Sequence, residues 1–480
     1  MEDLQWLYDK SEFKLNRDQK AFIDYFINKS DGNINLVGLA GTGKSTIMRL
    51  LKIYYGDEIM FIASTGVANV NMPDGIGMGT GHSVLSLPMG ISNGLTRGRV
   101  SRKTRDILFN SDIIKIIVID EAFGYSSDTL DIIWERIQRA NKRSKNRKER
   151  NIRLMLVGDP IQQITITRKD DKEEMKNRWG SHFMFDSTVW DRFDFDTCVL
   201  SKVERQQDKV IKAALDVIRS NETTRLPRCI EWLNRGYTPY DQYDKNKLVL
   251  ASTNKVVDNI NKRILDLNKN KKYKFRSIVY GNFDMRDVLV REEITLAVGL
   301  KVMAVNNDQQ GRWVNGSCGY IKEINKEAGN KSTKIVVEFD NGRTETVERN
   351  MWENKNVYAE TEMDEHGEMI TSLKERVDGT LIAFPLIQAN AITITKSQGM
   401  TIDTDFVIEL GNTWLYTSEK LEDFGTNFAY IAISRATRMD LITFSTPVSI
   451  SHIKPSLESV RFWKNCLKWN KIGEENYDKK

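Results

Sequence analysis

The sequence predicts an α/β protein with two similar parallel-sheet units, and three observations carry that reading. Short apolar runs alternate with helical patterns in both halves of the chain. A glycine-rich loop, Gly38-Leu39-Ala40-Gly41-Thr42-Gly43-Lys44-Ser45, joins the first apolar run to a helix. A stretch between the strands of the second half changes to two-residue alternation with a tight turn, the pattern of an inserted antiparallel module.

In the first half the runs are Ile34 to Val37, Ile59 to Ala63, Ile113 to Ile119 and Leu154 to Val157. Each is too short for a core helix and too continuous for a half-solvated strand, so each suits a sheet covered on both faces. The second half offers Leu248 to Ala251, Ala391 to Ile394, Phe406 to Leu410 and Leu441 to Phe444, with helical patterns near 207–219 and 254–268. Within the second unit, Ile335, Val337 and Phe339 share one strand face, and Asp340-Asn341-Gly342 turns the chain into Arg343 to Val347. A shorter insertion at 85–110 carries Pro88, Gly90, Asn93-Gly94 and five bases, which suggests a basic loop projecting from the first unit. The expected partition is 1–190 for the first unit with its insertion, 191–313 and 385–450 for the second, 314–384 for the β module and 451–480 for a C-terminal extension ending in a polar tail.

Composition narrows the class. With 480 residues, 40% of them hydrophobic, the chain suffices for two to four cores. No apolar run approaches 18 residues, and Glu2 and Asp3 stand where a presequence carries bases. A soluble cytoplasmic protein with no membrane partner is expected. The four cysteines are scattered without a Cys-x-x-Cys pair and only four histidines accompany them, so neither a disulfide framework nor a zinc site is indicated. A net charge of +5 is too mild to demand a polyanion, but bases concentrate from Arg136 to Arg153 and from Lys262 to Arg276. Such clusters fit either a solvated face or a nucleic-acid footprint.

The glycine-rich loop is a phosphate cradle. Its glycines let backbone N–H groups close round an anion, the following helix adds its positive dipole end, Lys44 reaches the outer phosphates and Ser45 can ligate magnesium. Gly38, Gly41, Thr42, Gly43, Lys44, Ser45 and Thr46 therefore form the candidate site for a nucleoside triphosphate with Mg2+. The Ile113 to Ile119 run ends in Asp120-Glu121. The first acid can hold magnesium beside Ser45, and the second can orient or deprotonate water, which means hydrolysis rather than transfer to a hydroxyl. The Leu154 to Val157 run ends in Gly158-Asp159-Pro160-Ile161-Gln162, where an amide could sense the γ-phosphate, though by itself this reads as an ordinary turn.

In chain order the sequence presents Leu15-Asn16-Arg17-Asp18-Gln19, the phosphate loop, Ser64-Thr65-Gly66-Val67-Ala68 with Gly81-His82-Ser83, and Asp120-Glu121. It continues with Gly158 to Gln162, Val203-Glu204-Arg205-Gln206, Thr393-Ile394-Thr395-Lys396-Ser397-Gln398-Gly399-Met400-Thr401 and Tyr430-Ile431-Ala432-Ile433-Ser434-Arg435-Ala436. This set resembles the superfamily 1B helicases of the Pif, Dda and RecD group over about residues 15–440. The resemblance implies two RecA-like domains, a wedge-bearing 1B insertion at 85–110 and an SH3-like 2B module at 314–384. It implies that Gln19 contacts adenine, that Gly399 belongs to the nucleotide site, and that Gln162 couples the γ-phosphate to domain movement. Arg205 and Arg435 become arginine fingers, catalytic together with Lys44, Asp120 and Glu121. Thr65, Val67 and His82 in the first unit, and Thr393, Lys396, Ser397 and Gln398 in the second, would face single-stranded DNA through contacts that position a strand without reading its bases.

The implied activity is ATP-dependent DNA unwinding with 5′ to 3′ movement, by a monomer acting at single-strand/duplex junctions, with replication or recombination proteins as the partner class. The alternative is an ATP-driven single-strand translocase that does not separate strands, since 85–110 holds no convincing aromatic wedge. The chain departs from the family at Thr395, where a histidine is usual, and at Gln163-Ile164, where Leu-Pro is usual. Together with a very basic stretch from Trp134 to Arg153, these point to a phage or bacterial member closer to Dda.

Overall fold

The structure is a computed structural model. It describes residues 3–473 apart from 66–67, 70–71, 73–75, 89, 93–96, 143–149, 163–168, 207, 240–241, 243, 245, 284, 286–287, 309, 314, 326–332, 364–368, 412–427 and 454. Two compact units emerge: unit 1 comprises Met1–Glu204, Lys355–Arg376 and Leu457–Lys480, and unit 2 comprises Arg205–Asn354 and Val377–Ser456. Among the described residues no helix is long and apolar enough to cross a membrane.

Unit 1 is built on six strands, β1 (Ile34–Gly38), β2 (Ile59–Ala63), β3 (Gly77–Thr80), β4 (Ile116–Asp120), β5 (Arg153–Gly158) and β6 (Asp196–Leu200), in the order β3-β2-β4-β5-β1-β6. Every pairing in this sheet is parallel. Alternate residues serve two different cores, which is why the strands read as unbroken apolar runs. Met60, Ile62, Ile117, Ile119, Leu154 and Leu156 pack on one face with Ile133 and Ile137 of the helix Ser127–Asn141. Phe61, Val118, Met155, Val157 and Leu36 pack on the other with Ile47, Met48 and Leu51 of the helix Lys44–Tyr55.

The 85–110 insertion departs from the expected projecting loop. Leu85, Leu87, Ile107, Leu108 and Phe109 are buried in the first of those cores. Arg136 donates from Nη2 to the carbonyls of Arg97 at 2.7 Å and Arg99 at 3.0 Å, and Asp128 accepts from the N–H and hydroxyl of Ser92. Apolar residues at both ends of a basic segment thus lay it down on the helix 127–141; its tip, 93–96, lies outside the described residues.

The C-terminal helix Leu457–Trp469 belongs to unit 1. Phe462 stacks on Phe185 at 4.3 Å and meets Trp190 at 5.4 Å and Phe123 at 5.6 Å. Just beyond it, Asn470 Oδ1 accepts from the Val199 N–H at 2.9 Å and the Lys471 N–H donates to the Thr197 carbonyl at 2.9 Å, covering the outer edge of β6.

In unit 2 the strands are β7 (Leu248–Ala251), β8 (Lys272–Arg276), β9 (Ile278–Gly281), β10 (Glu293–Ala297), β11 (Lys301–Ala304), β12 (Cys318–Asn325), β13 (Lys334–Phe339) and β14 (Thr344–Val347). They continue with the long pair β15 (Asn350–Met363) and β16 (Met369–Ala383), of which the stretch Lys355–Arg376 is counted in unit 1, then β17 (Leu386–Gln388), β18 (Ala391–Thr393), β19 (Phe406–Glu409) and β20 (Ile442–Phe444). A parallel sheet of order β18-β7-β19-β20 forms the second α/β core with the helix Asn254–Leu267. An antiparallel sheet of order β14-β13-β12-β11-β17 buries Val302, Ile321, Ile335, Val337 and Phe339, with Trp313 stacked on Phe339 at 5.6 Å. Two smaller antiparallel sheets, β10-β8 and β15-β16-β9, complete it. The turn at Gly342 has φ +81°, as the Asp-Asn-Gly sequence requires. Antiparallel structure begins at Lys272, earlier than residue 314, because Lys-Tyr-Lys-Phe-Arg is both a basic cluster and a clean strand alternation.

Phe462→Ala is expected to destabilise unit 1 by about 3–4 kcal/mol and Phe462→Leu by about 1 kcal/mol. Denaturant unfolding followed by tryptophan fluorescence checks this, and equal midpoints for wild type and Phe462→Ala would contradict the docking of the C-terminal helix.

Candidate functional site

The sheet order of unit 1 brings three motifs to one edge. β5 lies between β1 and β4, so the loop after β1, the Asp120-Glu121 pair after β4 and the Gly158 to Gln162 turn after β5 leave the carboxyl ends of adjacent parallel strands. That edge is where open α/β sheets place their ligands.

The phosphate loop is preformed. Gly41 and Gly43 have φ +78° and +84°, and the helix starts at Lys44. A Cβ on Gly43 would lie 2.1 Å from Gln19 Nε2, and one on Gly38 would lie 2.6 Å from Thr42 Oγ1. Thr42 is buried and donates to the Leu39 carbonyl at 2.9 Å. Gln19 closes a capping box with Asn16 and donates from Nε2 to the Thr42 carbonyl at 3.0 Å, so its amide braces the loop from the helix Arg17–Asp24. Glu204 braces it too: its N–H donates to the Gly41 carbonyl at 2.8 Å while its carboxylate accepts from Asn16 Nδ2 at 2.8 Å. Lys44 donates to the carbonyls of Gly38 at 2.8 Å and Leu39 at 3.1 Å, holding its ammonium over the cradle. Ser45 is exposed and Thr46 half-buried at the helix start.

Burial raises the Asp120 carboxyl above its ordinary range, while the charge of Lys44 and the Glu121 N–H, which donates to Asp120 Oδ1 at 2.9 Å, oppose that rise. A desolvated carboxylate that feels the Lys44 charge offers the hard oxygen donor that a divalent cation shared with phosphates takes. Glu121 adopts φ +52°, an uncommon backbone for a non-glycine residue, at the entry to the turn Ala122–Gly124. Gln162 is buried beside Asp159, whose carbonyl accepts from the Gln162 N–H at 3.2 Å.

The first-unit strand motifs adjoin this edge. Ala63 at the end of β2 pairs with Asp120, and the Ser64 N–H donates to the Asp120 carbonyl at 3.2 Å. Thr65 is exposed, its hydroxyl accepting from the Ala68 N–H at 3.1 Å; Val67 lies outside the described residues. His82 Nδ1 lies 3.1 Å from the Leu87 carbonyl, and its ring meets the edge of Tyr125 at 5.8 Å. Sequence reasoning missed Tyr125. Its buried hydroxyl donates to the Ala63 carbonyl at 2.9 Å and accepts from the Gly81 N–H at 3.0 Å, tying the Gly81-His82-Ser83 segment to the turn that follows Glu121. Phe123 on the same turn was also missed. The only signal for either was aromatic residues directly behind an acid pair.

Unit 2 gathers its motifs separately. Thr393 ends β18, Lys396 and Ser397 occupy the turn that follows, Gln398 ends that turn, and Gly399 with φ +82° leads into Met400. Thr393 Oγ1 accepts from the Lys396 N–H at 3.3 Å. Burial lowers the Lys396 ammonium, Arg291 lowers it further and Asp258 opposes both. Arg435 is only 1% exposed. Its guanidinium donates to the carbonyls of Ile431 at 3.0 Å, Ser397 at 3.3 Å and Met400 at 3.5 Å, and to Ser434 Oγ at 2.7 Å. Arg205 donates to the Ser434 carbonyl at 3.2 Å, and burial brings its guanidinium down to about 10, with Tyr430 opposing. Gln206 donates to the carbonyls of Ser434 at 2.8 Å and Ala436 at 3.1 Å. Both arginine motifs and the Thr393 to Gly399 turn are thereby one hydrogen-bonded cluster.

Residues 14–236 match the family model for PIF1-like helicases. The ATP-dependent DNA helicase Pif1 of Bdellovibrio bacteriovorus is 28% identical over 433 residues, covering 88% of this chain and 86% of that protein. Among solved structures, Bacteroides sp Pif1 in complex with ADP-AlF4 aligns with a TM-score of 0.78 at 22% identity over 95% of this chain and 98% of that one. Bacteroides Pif1 bound to ssDNA aligns with a TM-score of 0.62, again at 22% identity, over 95% and 97% of the two chains. These likenesses establish two RecA-like parallel-sheet domains.

Gly43→Ala is expected to weaken ATP binding about tenfold or more, because it drives a methyl into Gln19 and strains a left-handed position. Gly56→Ala, also left-handed but with open space around its Cβ, is the control. Titration with a fluorescent nucleotide reads both, and unchanged affinity in Gly43→Ala would contradict the Gln19 brace.

Proposed function

We propose that this chain, a PIF1-like ATP-dependent DNA helicase of superfamily 1B, moves 5′ to 3′ along single-stranded DNA as a monomer, hydrolysing magnesium-bound ATP in unit 1. The observation that carries the reading is the shared sheet edge. The nucleotide motifs and the strand motifs of unit 1 leave neighbouring strand ends and are joined through the Ser64–Asp120 and Tyr125 hydrogen bonds.

In this reading Lys44 exchanges its loop carbonyls for the β- and γ-phosphate oxygens. Ser45 and Asp120 would hold magnesium, which would supply positive charge to the phosphates. Glu121 receives the proton of the attacking water, so its uncommon backbone is a positioning device. Gln162 senses the γ-phosphate, Gln19 contacts adenine and Gly399 contributes to the nucleotide site from unit 2. Arg205 and Arg435 stabilise charge developing on the transferred phosphoryl group. Arg435 holds the Ser397 carbonyl, so engaging the nucleotide would alter the turn bearing Lys396, Ser397 and Gln398, the second-unit contacts to the strand. Thr65, Val67 and His82 supply the first-unit contacts, and alternating grip by the two sets gives translocation. The substrate is a single-strand/duplex junction, with replication or recombination proteins as partners. The cytoplasm is the proposed compartment.

Glu121→Gln is expected to bind ATP with near wild-type affinity while DNA-stimulated hydrolysis falls about 10²–10⁴-fold, the usual range for loss of a general base; full turnover would remove Glu121 from that role. On tailed duplexes, strand separation is expected with a 5′ overhang, and opening confined to 3′-tailed substrates would reverse the polarity.

A further inference from the structure

The basic cluster from Lys262 to Arg276 lies outside the helicase motifs. Between Lys262 and Arg276 the chain carries seven bases and a single acid, Asp266. The fold turns half of that cluster into an ordered surface. On β8 the residues alternate, with Phe275 in the unit 2 core and Tyr273 half-buried, while Lys272, Lys274 and Arg276 stand exposed on the opposite face. Successive bases on that face are therefore about 6.7 Å apart, a two-residue strand step. The paired strand β10 sets Ala297, Thr295 and Glu293 opposite them. Glu293 alone answers two of the bases, bonding Lys274 Nζ at 3.1 Å and Arg276 Nε at 3.1 Å, and both remain largely exposed, at 71% and 83%. A row of three cations over one shared carboxylate keeps a net positive face.

The row leads towards the single-strand contacts of the same unit. Next to Arg276, the Ser277 N–H donates to the Glu292 carbonyl at 2.8 Å and the Ser277 hydroxyl to the Arg291 carbonyl at 2.8 Å, placing Arg291 beside the end of the ribbon. Arg291 bonds Asp258 at 2.9 Å, and its charge reaches the Lys396 ammonium.

We propose that the β8–β10 ribbon is a second polynucleotide-binding surface, in which Lys272, Lys274 and Arg276 hold phosphodiester groups of the DNA continuing past Lys396. It rests on the proposed strand contact at Lys396, but adds phosphate-holding residues that the helicase motifs do not include. Its chemistry is backbone neutralisation without base readout, so it lengthens the footprint and the grip without adding sequence preference. The phosphates come either from the single strand itself or from adjoining duplex.

The test compares wild type with Lys272→Gln/Lys274→Gln/Arg276→Gln and with Glu293→Gln. Binding to oligothymidylates across the usual span of site sizes, about 4–16 nucleotides, and to a blunt duplex is measured against salt. ATP binding serves as the check on folding. For the longest single strand, the triple variant is expected to bind about tenfold more weakly at low salt, with a log–log salt slope shallower by about 2, near 0.7 per lost phosphate contact. The shortest strand should show no change, and Glu293→Gln should bind the longest strand more tightly with a steeper slope. The same loss on the duplex alone would assign the phosphates to duplex DNA. Unchanged slopes on both the longest strand and the duplex would overturn the ribbon while leaving Lys396 in place. Failure of wild type to bind any strand would overturn the contact at Lys396 itself.

Discussion

The placement of β5 between β1 and β4 is the constraint on which the chemistry of unit 1 depends. Parallel strands deliver all their following loops to one edge, so a glycine-rich loop, an acid pair and the turn bearing Gln162, separated by over a hundred residues of sequence, arrive side by side. The apolar alternation between two cores then keeps that edge rigid, since a one-residue slip of any strand would exchange its two packed faces. Bracing finishes the arrangement. Gln19 and Glu204 grip the glycine-rich loop at its adjacent Thr42 and Gly41 carbonyls, and the aromatic contact between Phe123 and Phe462 holds the turn behind Glu121.

Unit 2 is organised around a different problem, a buried guanidinium. Desolvating Arg435 is costly unless its donors are answered, and three carbonyls and a hydroxyl answer them. Because one of those carbonyls belongs to Ser397, the residue proposed to meet the phosphoryl group is also a support of the turn proposed to meet the strand. A single side chain with two alternative sets of partners is a physical means of linking fuel to grip. Tyr125 gives unit 1 the corresponding link, by hydrogen bonds that join Ala63 and Gly81 to the acid-bearing turn.

Much of this was legible in the sequence, and the reasons are specific. The parallel strands stood out because burial on both faces leaves unbroken runs: Leu248–Ala251 and Ile59–Ala63 form strands with the bounds the pattern suggested. The phosphate loop and the Asp120-Glu121 pair were legible because their chemistry demands fixed residue types next to strand ends. β3 was not, since Gly77-Met78-Gly79-Thr80 is a half-buried edge strand with little apolar content. The ribbon of β8 and β10 was hidden under its own charge, and the insertion at 85–110 looked like a projecting loop because its bases and turn residues fill the middle while the apolar residues that anchor it sit only at its two ends. Arg435 was expected, from the resemblance, as a cation for phosphate, but nothing in Ser-Arg-Ala shows that it is a buried tie to Ser397. Pairings across long sequence separations have no local pattern to betray them.

If nucleotide site and strand site are two ends of one mechanism, each must alter the other's affinity by the same factor. The most direct measurement is the dissociation constant for a single-stranded oligonucleotide with and without a non-hydrolysable ATP analogue, paired with the analogue's own dissociation constant with and without the oligonucleotide. A matching change of about 5–150-fold in both is the predicted result. Identical constants in the presence and absence of the other ligand would contradict the account.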